Sequence, residues 1–415
     1  MGILQNQKAV ELKRRRAIWL LVLFFCFSAD VQDGLGPFLG VRLQQLGWSP
    51  ESIGWALTLP ALVGLAFSPL WGGVCDRIKH KRALLAVATV VVLSASFVSM
   101  AGVPAQVFVA QVAVGVACAA FLPAGTALIL GLSNGVPLSN VLGRTEAGKH
   151  AGTCLAATLA GLIGFLGWGG LGTLTAFWVM NGFALLSLIA LGGISSDLID
   201  NDAARGLGQS RGKVESLKSL LTDPALLGLG LMLFFFHLGN AAMLPLLGQA
   251  AVARFGIDPS GATGATIFLA QLTMVVTALL GARVARTHGF GHLMVTAFVA
   301  LVIRGLIAGF WESPWAIVPV QILDGVGAGL MGVATPGMVA VLLAGTGRVN
   351  LGLGSVLLMQ GVGAGLSTAL GGHAVSFFGY EGAFLVLAAA PVVGLLVFVR
   401  SCANSEFRTA AIKAV

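Results

Sequence analysis

Apolar residues run through the chain in blocks of about 20, each long enough at 1.5 Å per residue to cross a hydrocarbon core roughly 30 Å thick. Polar residues collect in the short stretches between the blocks. This pattern predicts twelve membrane-spanning helices, near 17–39, 51–71, 82–102, 105–131, 141–166, 171–193, 223–247, 260–284, 290–310, 315–343, 350–376 and 381–400. Between the sixth and seventh lies a longer polar stretch carrying Asp197, Asp200, Asp202, Arg205, Arg211, Lys213, Glu215 and Lys218. The expected architecture is an all-α membrane protein: one six-helix bundle over 1–194, a soluble linker over 195–222, and a second six-helix bundle over 223–415.

The two halves read as repeats. A shift of 210 residues pairs Phe24 with Phe234, Phe25 with Phe235, Asp30 with Asn240, Pro104 with Pro314, Gln111 with Gln321, Gly115 with Gly325 and Asn140 with Asn350. One ungapped register across several span pairs exceeds what Gly, Leu and Val abundance alone gives. Parallel repeats of six spans are a signature of secondary transporters that rock one bundle against the other around a site near the midplane.

Composition agrees with a membrane location. The chain is 57% apolar and 10% charged, with mean hydropathy +0.94, whereas a soluble domain carries about a quarter charged residues. The net charge of +8 therefore reflects placement about the bilayer rather than nucleic-acid binding. Of the 24 basic residues, all but Arg42, Arg254 and Arg304 fall on the side of the N-terminus in this topology. By the positive-inside rule, both termini and the linker are expected in the cytoplasm. The five cysteines, Cys26, Cys75, Cys118, Cys154 and Cys402, form no C-x-x-C pair and suggest neither disulfides nor a thiolate cluster. No phosphate-cradling glycine loop and no nucleophile with a nearby base stands out. The expectation is a non-enzyme without cofactor, driven by an ion or solute gradient.

Intramembrane polar residues are the candidate chemistry. Asp30 and Asp33 lie in the first span at i, i+3 spacing, on one helix face. Asp30 sits about 20 Å along a helix starting near Ala17, where an acid costs at least about 2.5 kcal/mol and is by default functional. Gly34, Gly36 and Pro37 loosen the helix just beyond. Asn240 holds the repeat-related place of Asp30, with His237 one turn earlier. Asp30, Asp33, His237 and Asn240 could form a proton relay or a transition-metal site in which Asp30, Asp33 and His237 are ligands. Asp324 lies near mid-depth of the tenth span and suits a coupling role. Arg304 matches it in depth as a counter-charge, but the ninth span is expected to face lipid, where its side chain could snorkel. Gln111 and Gln321 suit a polar solute or interhelical hydrogen bonds, as do Gln271 and Gln360.

The loop after the second span reads Gly72-Gly73-Val74-Cys75-Asp76-Arg77-Ile78-Lys79-His80-Lys81-Arg82. It resembles the G-x-x-x-D-R-x-G-x-R/K-R/K signature of the major facilitator superfamily. Gly72, Asp76, Arg77, Lys81 and Arg82 match, and Lys79 replaces the usual Gly. The resemblance implies a conformational latch at these five positions, holding the halves in the outward-facing state. Two family marks depart: Gln111 stands where proton-coupled exporters usually carry Arg in the fourth span, and the fifth span keeps a Gly ridge without the Gly-Pro pair of antiporters. The stretches 29–40, 237–249 and 321–333 resemble a bacterial permease branch that includes nickel-resistance proteins, although the His-rich tail of such members is missing here. The implied function is proton-coupled efflux of a small solute, with a divalent metal such as nickel or iron among the options. An exporter of a drug or siderophore and a nutrient symporter are the alternatives. Implied surroundings are the bacterial inner membrane, protons and a small-molecule or metal-ion substrate as partners, no nucleic acid, and a monomer.

Overall fold

The computed structural model describes residues 2–32, 36–165, 174–207, 216, 218, 220, 222–255 and 259–413. They form α1 (Gly2–Gln32), α2 (Gly36–Gln45), α3 (Pro50–Arg77), α4 (Lys81–Met100), α5 (Pro104–Cys118), α6 (Phe121–Leu132), α7 (Leu138–Phe165) and α8 (Leu174–Gly192). After the polar stretch come α9 (Pro224–Asn240), α10 (Met243–Phe255), α11 (Pro259–His288), α12 (Phe290–Phe310), α13 (Ile317–Leu342), α14 (Val349–Ser401) and α15 (Ser405–Ile412). No strand occurs among the described residues. By length and composition, 8 helical segments among the described residues are apolar enough to cross a membrane. Leaving out the short α2 and α15, and taking α5 with α6 and α9 with α10 as single spans and α14 as two, the described helices number six and six.

Local chemistry explains where the helices depart from the apolar runs. The first helix begins at Gly2, because the basic stretch before Ala17 continues it, helped by an i, i+4 pair of Glu11 and Arg15 at 2.6 Å. The fourth span breaks at Ala119 and Ala120, and the seventh at Ala241 and Ala242. A proline follows each break within four residues, Pro123 and Pro245. Each lacks the N–H that would bond the carbonyl four residues back, and its ring crowds that carbonyl. The eleventh and twelfth spans join without a loop at Gly379, whose φ of 68° and ψ of −176° only glycine adopts readily.

Two compact units emerge. The first holds 1–136, 148–213 and 345–354. Its core is built around Phe24, stacked on Phe121 at 6.3 Å, with α3 and α4 packed on α5 and α8 on α1. Small residues set the close approaches: a Cβ at Gly115 would lie 2.6 Å from the Pro60 carbonyl oxygen. The polar stretch is more ordered than a soluble linker over its first part. Residues Ser196–Leu198 and Ala203–Arg205 form single 3₁₀ turns. Ile199, Ala204 and Leu207 are buried, and the Asp200 N–H donates to the Gly131 carbonyl at 3.0 Å. Burial of these apolar side chains makes it a strap against its own unit.

The second unit holds 137–147, 214–344 and 355–415. Here α13 packs along both α11 and α12, and α15 lies against α12. A Cβ at Gly325 would stand 2.6 Å from the Ala270 carbonyl oxygen, so glycine lets α13 approach α11 closely. Asn404 caps α15 through its side-chain oxygen, accepting from the N–H groups of Glu406 and Phe407 at 2.8 and 3.2 Å.

Candidate functional site

Within the first unit, the loop residues meet the start of α14. Asp76, in the last turn of α3, is buried. Its Oδ1 accepts from the Asn350 N–H at 3.1 Å and the Asn350 side-chain amide at 2.9 Å, and its Oδ2 accepts from the Leu351 N–H at 2.8 Å. The first four N–H groups of a helix have no partner within it, and the N-terminus carries a partial positive charge. Asp76 therefore caps α14 from another helix. Gly72, one turn earlier, makes the approach possible: a Cβ there would lie 2.8 Å from the Asn350 carbonyl carbon and 2.9 Å from the Leu351 Cα.

The basic residues of the loop act differently from surface anchors. Lys81 is 1% exposed and donates to the Ile78 carbonyl at 2.8 Å and to the Asn201 side chain at 3.3 Å. Arg82 donates to the Ile194 carbonyl. Arg77 and Lys79 of the same loop turn outward. Asn350 also donates to the Ala204 carbonyl at 2.9 Å, so loop, strap and helix start share one hydrogen-bonded group. A close approach at glycine occurs in the second unit too, where a Cβ at Gly143 would stand 2.8 Å from the Ala278 carbonyl oxygen. There the place of Asp76 is taken by Arg286.

A second polar group is buried inside the second unit. Arg304 on α12 donates through Nη1 to Asp324 Oδ1 at 2.8 Å and to Asn240 Oδ1 at 2.5 Å. The Arg304 side chain is 0% exposed and that of Asp324 8%. This corrects the expectation of a lipid-facing, snorkelling arginine. The unpaired carboxylate at this depth is costly enough to draw the counter-charge inward. Gln321, one turn before Asp324 on α13, is fully buried. His237 places its Nδ1 3.0 Å from the Leu233 carbonyl of its own helix and its ring edge-on to Phe236. Gln111 is buried in α5 of the first unit.

Asp30 lies in α1, but its side chain, like all of Asp33, is outside the described residues. Among the described residues, no group of three or more His, Cys, Asp or Glu is placed to hold a metal ion. Sequence reasoning set aside Arg304 and used Asn350 only as a repeat match. The signals available were the depth match of Arg304 with Asp324 and the repetition of Asn140 as Asn350.

Residues 18–286 match the sequence pattern of the family described as Major Facilitator Superfamily. Two curated relatives from Mycobacterium tuberculosis, uncharacterized MFS-type transporters Rv2456c of strain H37Rv and MT2531 of strain CDC 1551, are each 34% identical over 378 residues, covering 89% of both chains. An uncharacterized MFS-type transporter of Bacillus subtilis, YuxJ, is 25% identical over 241 residues, covering 55% of this chain and 58% of its own. Among solved structures, the proton:xylose symporter XylE aligns with a TM-score of 0.70 at 13% identity, over 95% of this chain and 96% of its own. The human organic anion transporter MFSD10 aligns with a TM-score of 0.65 at 18% identity, over 92% and 99%. These two share the fold alone. With the family pattern, the relatives and the all-helical fold in agreement, the chain belongs to the Major Facilitator Superfamily and is a multi-pass membrane transporter.

Proposed function

We propose that the chain is a proton-coupled carrier that moves a small solute by alternating access, with Asp324 taking the proton. The observation that carries this reading is the buried Arg304–Asp324 pair at 2.8 Å. Protonating Asp324 leaves the arginine charge without its partner, and an uncompensated buried charge costs about 3–5 kcal/mol. A full swing of a two-state equilibrium from 1:99 to 99:1 takes about 5.5 kcal/mol. One proton at this pair therefore supplies most of a conformational switch. The Asp76 cap on α14 is a smaller quantity, about 0.5–2 kcal/mol, and tunes the balance between states as the latch of the loop resemblance implies.

The same reading keeps the bacterial inner membrane, cytoplasmic termini and a working monomer. Export in exchange for protons, the direction the resemblance to the permease branch implies, requires solute and proton to bind in turn; symport requires them to bind together. In the metal-exporting version, Asp30, Asp33 and His237 are the ligands. The test is a proteoliposome assay with a pH-sensitive dye inside, adding Ni²⁺, Co²⁺ and Fe²⁺ and then organic solutes. Solute-dependent proton movement is expected, its sign giving the direction, and Asp324→Asn should abolish the proton movement while solute exchange persists. Proton movement as in wild type in Asp324→Asn would remove Asp324 from the mechanism.

A further inference from the structure

We infer that Arg304 holds an anionic group of the carried solute, a carboxylate, phosphate or sulfonate, on its Nε/Nη2 edge. This inference rests on the carrier reading and names its substrate class.

Both bonds that Arg304 makes leave from Nη1, to Asp324 and to Asn240. Its Nε and Nη2 have no hydrogen-bond partner among the described residues, although the side chain is 0% exposed. In a guanidinium those two nitrogens form the side-on fork, whose two parallel N–H groups match a pair of carboxylate or phosphate oxygens. Asp324 occupies the other end of the group and leaves this fork open. Gln321 adds to the same deficit. It is fully buried, stands at i, i+3 from Asp324 on one face of α13, and neither its amide nitrogen nor its amide oxygen has a partner among the described residues. Each unmade bond of this kind costs about 1–3 kcal/mol. Donors from the fork and the Gln321 amide are what a two-oxygen anion needs.

Charge fixes how the anion and proton are linked. Arg304 and ionised Asp324 cancel, so an added anion leaves the buried group at net −1, and a proton on Asp324 returns it to zero. Anion and proton therefore bind with mutual advantage, and by reciprocity each raises the affinity of the other. That is the linkage of symport. Other titratable or charged groups on helices packed against α13 are Glu146 on α7, whose carboxylate lies against Gly332, His237 on α9, Arg283, Arg286 and His288 in the last two turns of α11, His292 at the start of α12, and Glu406 and Arg408 on α15. The pair itself joins one acid on α13 to one base on α12.

The experiment follows thermal unfolding of the purified full-length protein in detergent at constant ionic strength. The probes are benzoate, succinate, methylphosphonate and methanesulfonate, with benzamide and succinamide as neutral counterparts, at pH 5 and 7.5. At least one anion is expected to raise the Tm saturably, with at least a twofold lower half-saturating concentration at pH 5, while the neutral amides do nothing. Arg304→Lys, which keeps the charge but loses the fork, should raise the half-saturating concentration at least tenfold. Gln321→Leu should raise it severalfold, and decides the matter if Arg304→Lys unfolds without a cooperative transition. Asp324→Asn should keep the anion effect and lose its pH dependence. Absence of a saturable anion shift in wild type, an unchanged response in the folded Arg304→Lys, or an unchanged response in Gln321→Leu where Arg304→Lys does not fold, overturns the anion site; equal shifts at both pH values overturn the linkage. Neither result touches the dye assay of Asp324→Asn, whose failure would instead remove Asp324 from the carrier mechanism.

Discussion

Asn350 donates to one carboxylate oxygen of Asp76 from both its backbone N–H and its side-chain amide, at 3.1 and 2.9 Å. The second oxygen takes the next N–H, that of Leu351, at 2.8 Å. A helix start is normally capped by the residue just before it. Here the cap comes from 274 residues away. The cap is thereby part of the tertiary structure, made or lost with the packing of α3 on the first turn of α14.

Removing the carboxylate should loosen that turn selectively. Asp76→Ala is expected to cost about 1–2 kcal/mol locally. Hydrogen exchange of the amides at 350 and 351 should quicken at least fivefold, while those of α9 stay as in wild type. Uniform quickening through both units would point to a general loss of fold instead.

Glycine at 72 is required by contact, and glycine at 54 is not. A methyl group at Gly72 would press on the Asn350 and Leu351 backbone, whereas one at Gly54 meets nothing within 4 Å. Gly72→Ala should therefore reduce transport at least tenfold in protein that still reaches the membrane, with Gly54→Ala close to wild type. Equal activity in the two variants, measured at equal expression, would contradict this account of the close approach.

The buried pair should show strong coupling energy. Arg304→Ala and Asp324→Ala each strand a charge and should each destabilise by about 3–5 kcal/mol. The double variant should cost clearly less than their sum, because no stranded charge remains. A double-mutant cycle on thermal unfolding measures the difference, and simple additivity would mean that the two groups do not depend on one another.

Lys81 should matter to the strap more than to the membrane surface. Lys81→Met removes the donor that meets the Ile78 carbonyl and the Asn201 side chain. Limited proteolysis within 196–207 is expected to speed up severalfold, with the spans left intact. Unchanged cleavage would show that apolar burial of Ile199, Ala204 and Leu207 holds the strap alone.

The sequence carried the fold because bilayer thickness sets a length that apolar runs either meet or fail, and polar breaks show through plainly. It carried the loop as well, since Gly72 and Asp76 sit in a recognisable spacing. What it lacked was direction around each helix. Whether Arg304 turns to lipid or inward depends on which face of α12 meets α13, and a half-turn of error reverses the answer. Asn350 was hidden for another reason: an asparagine near a helix start ordinarily serves its own helix, and nothing local announces a partner on α3. The first-span acids were legible as costly residues, but cost alone does not say what they touch.

The distance along the chain between Asp76 and Asn350 has a consequence for biogenesis. At about 5–20 residues per second, the ribosome needs roughly 14–55 s to reach Asn350 after Asp76 has been made. Throughout that interval the end of α3 carries a carboxylate with its intended donors not yet synthesised. The first unit, which includes 345–354, reaches its final packing only when most of the second half has also entered the membrane. A ribosome stalled after the sixth span would therefore leave an unfinished bundle, open to quality-control proteases and to premature pairing with other charged segments.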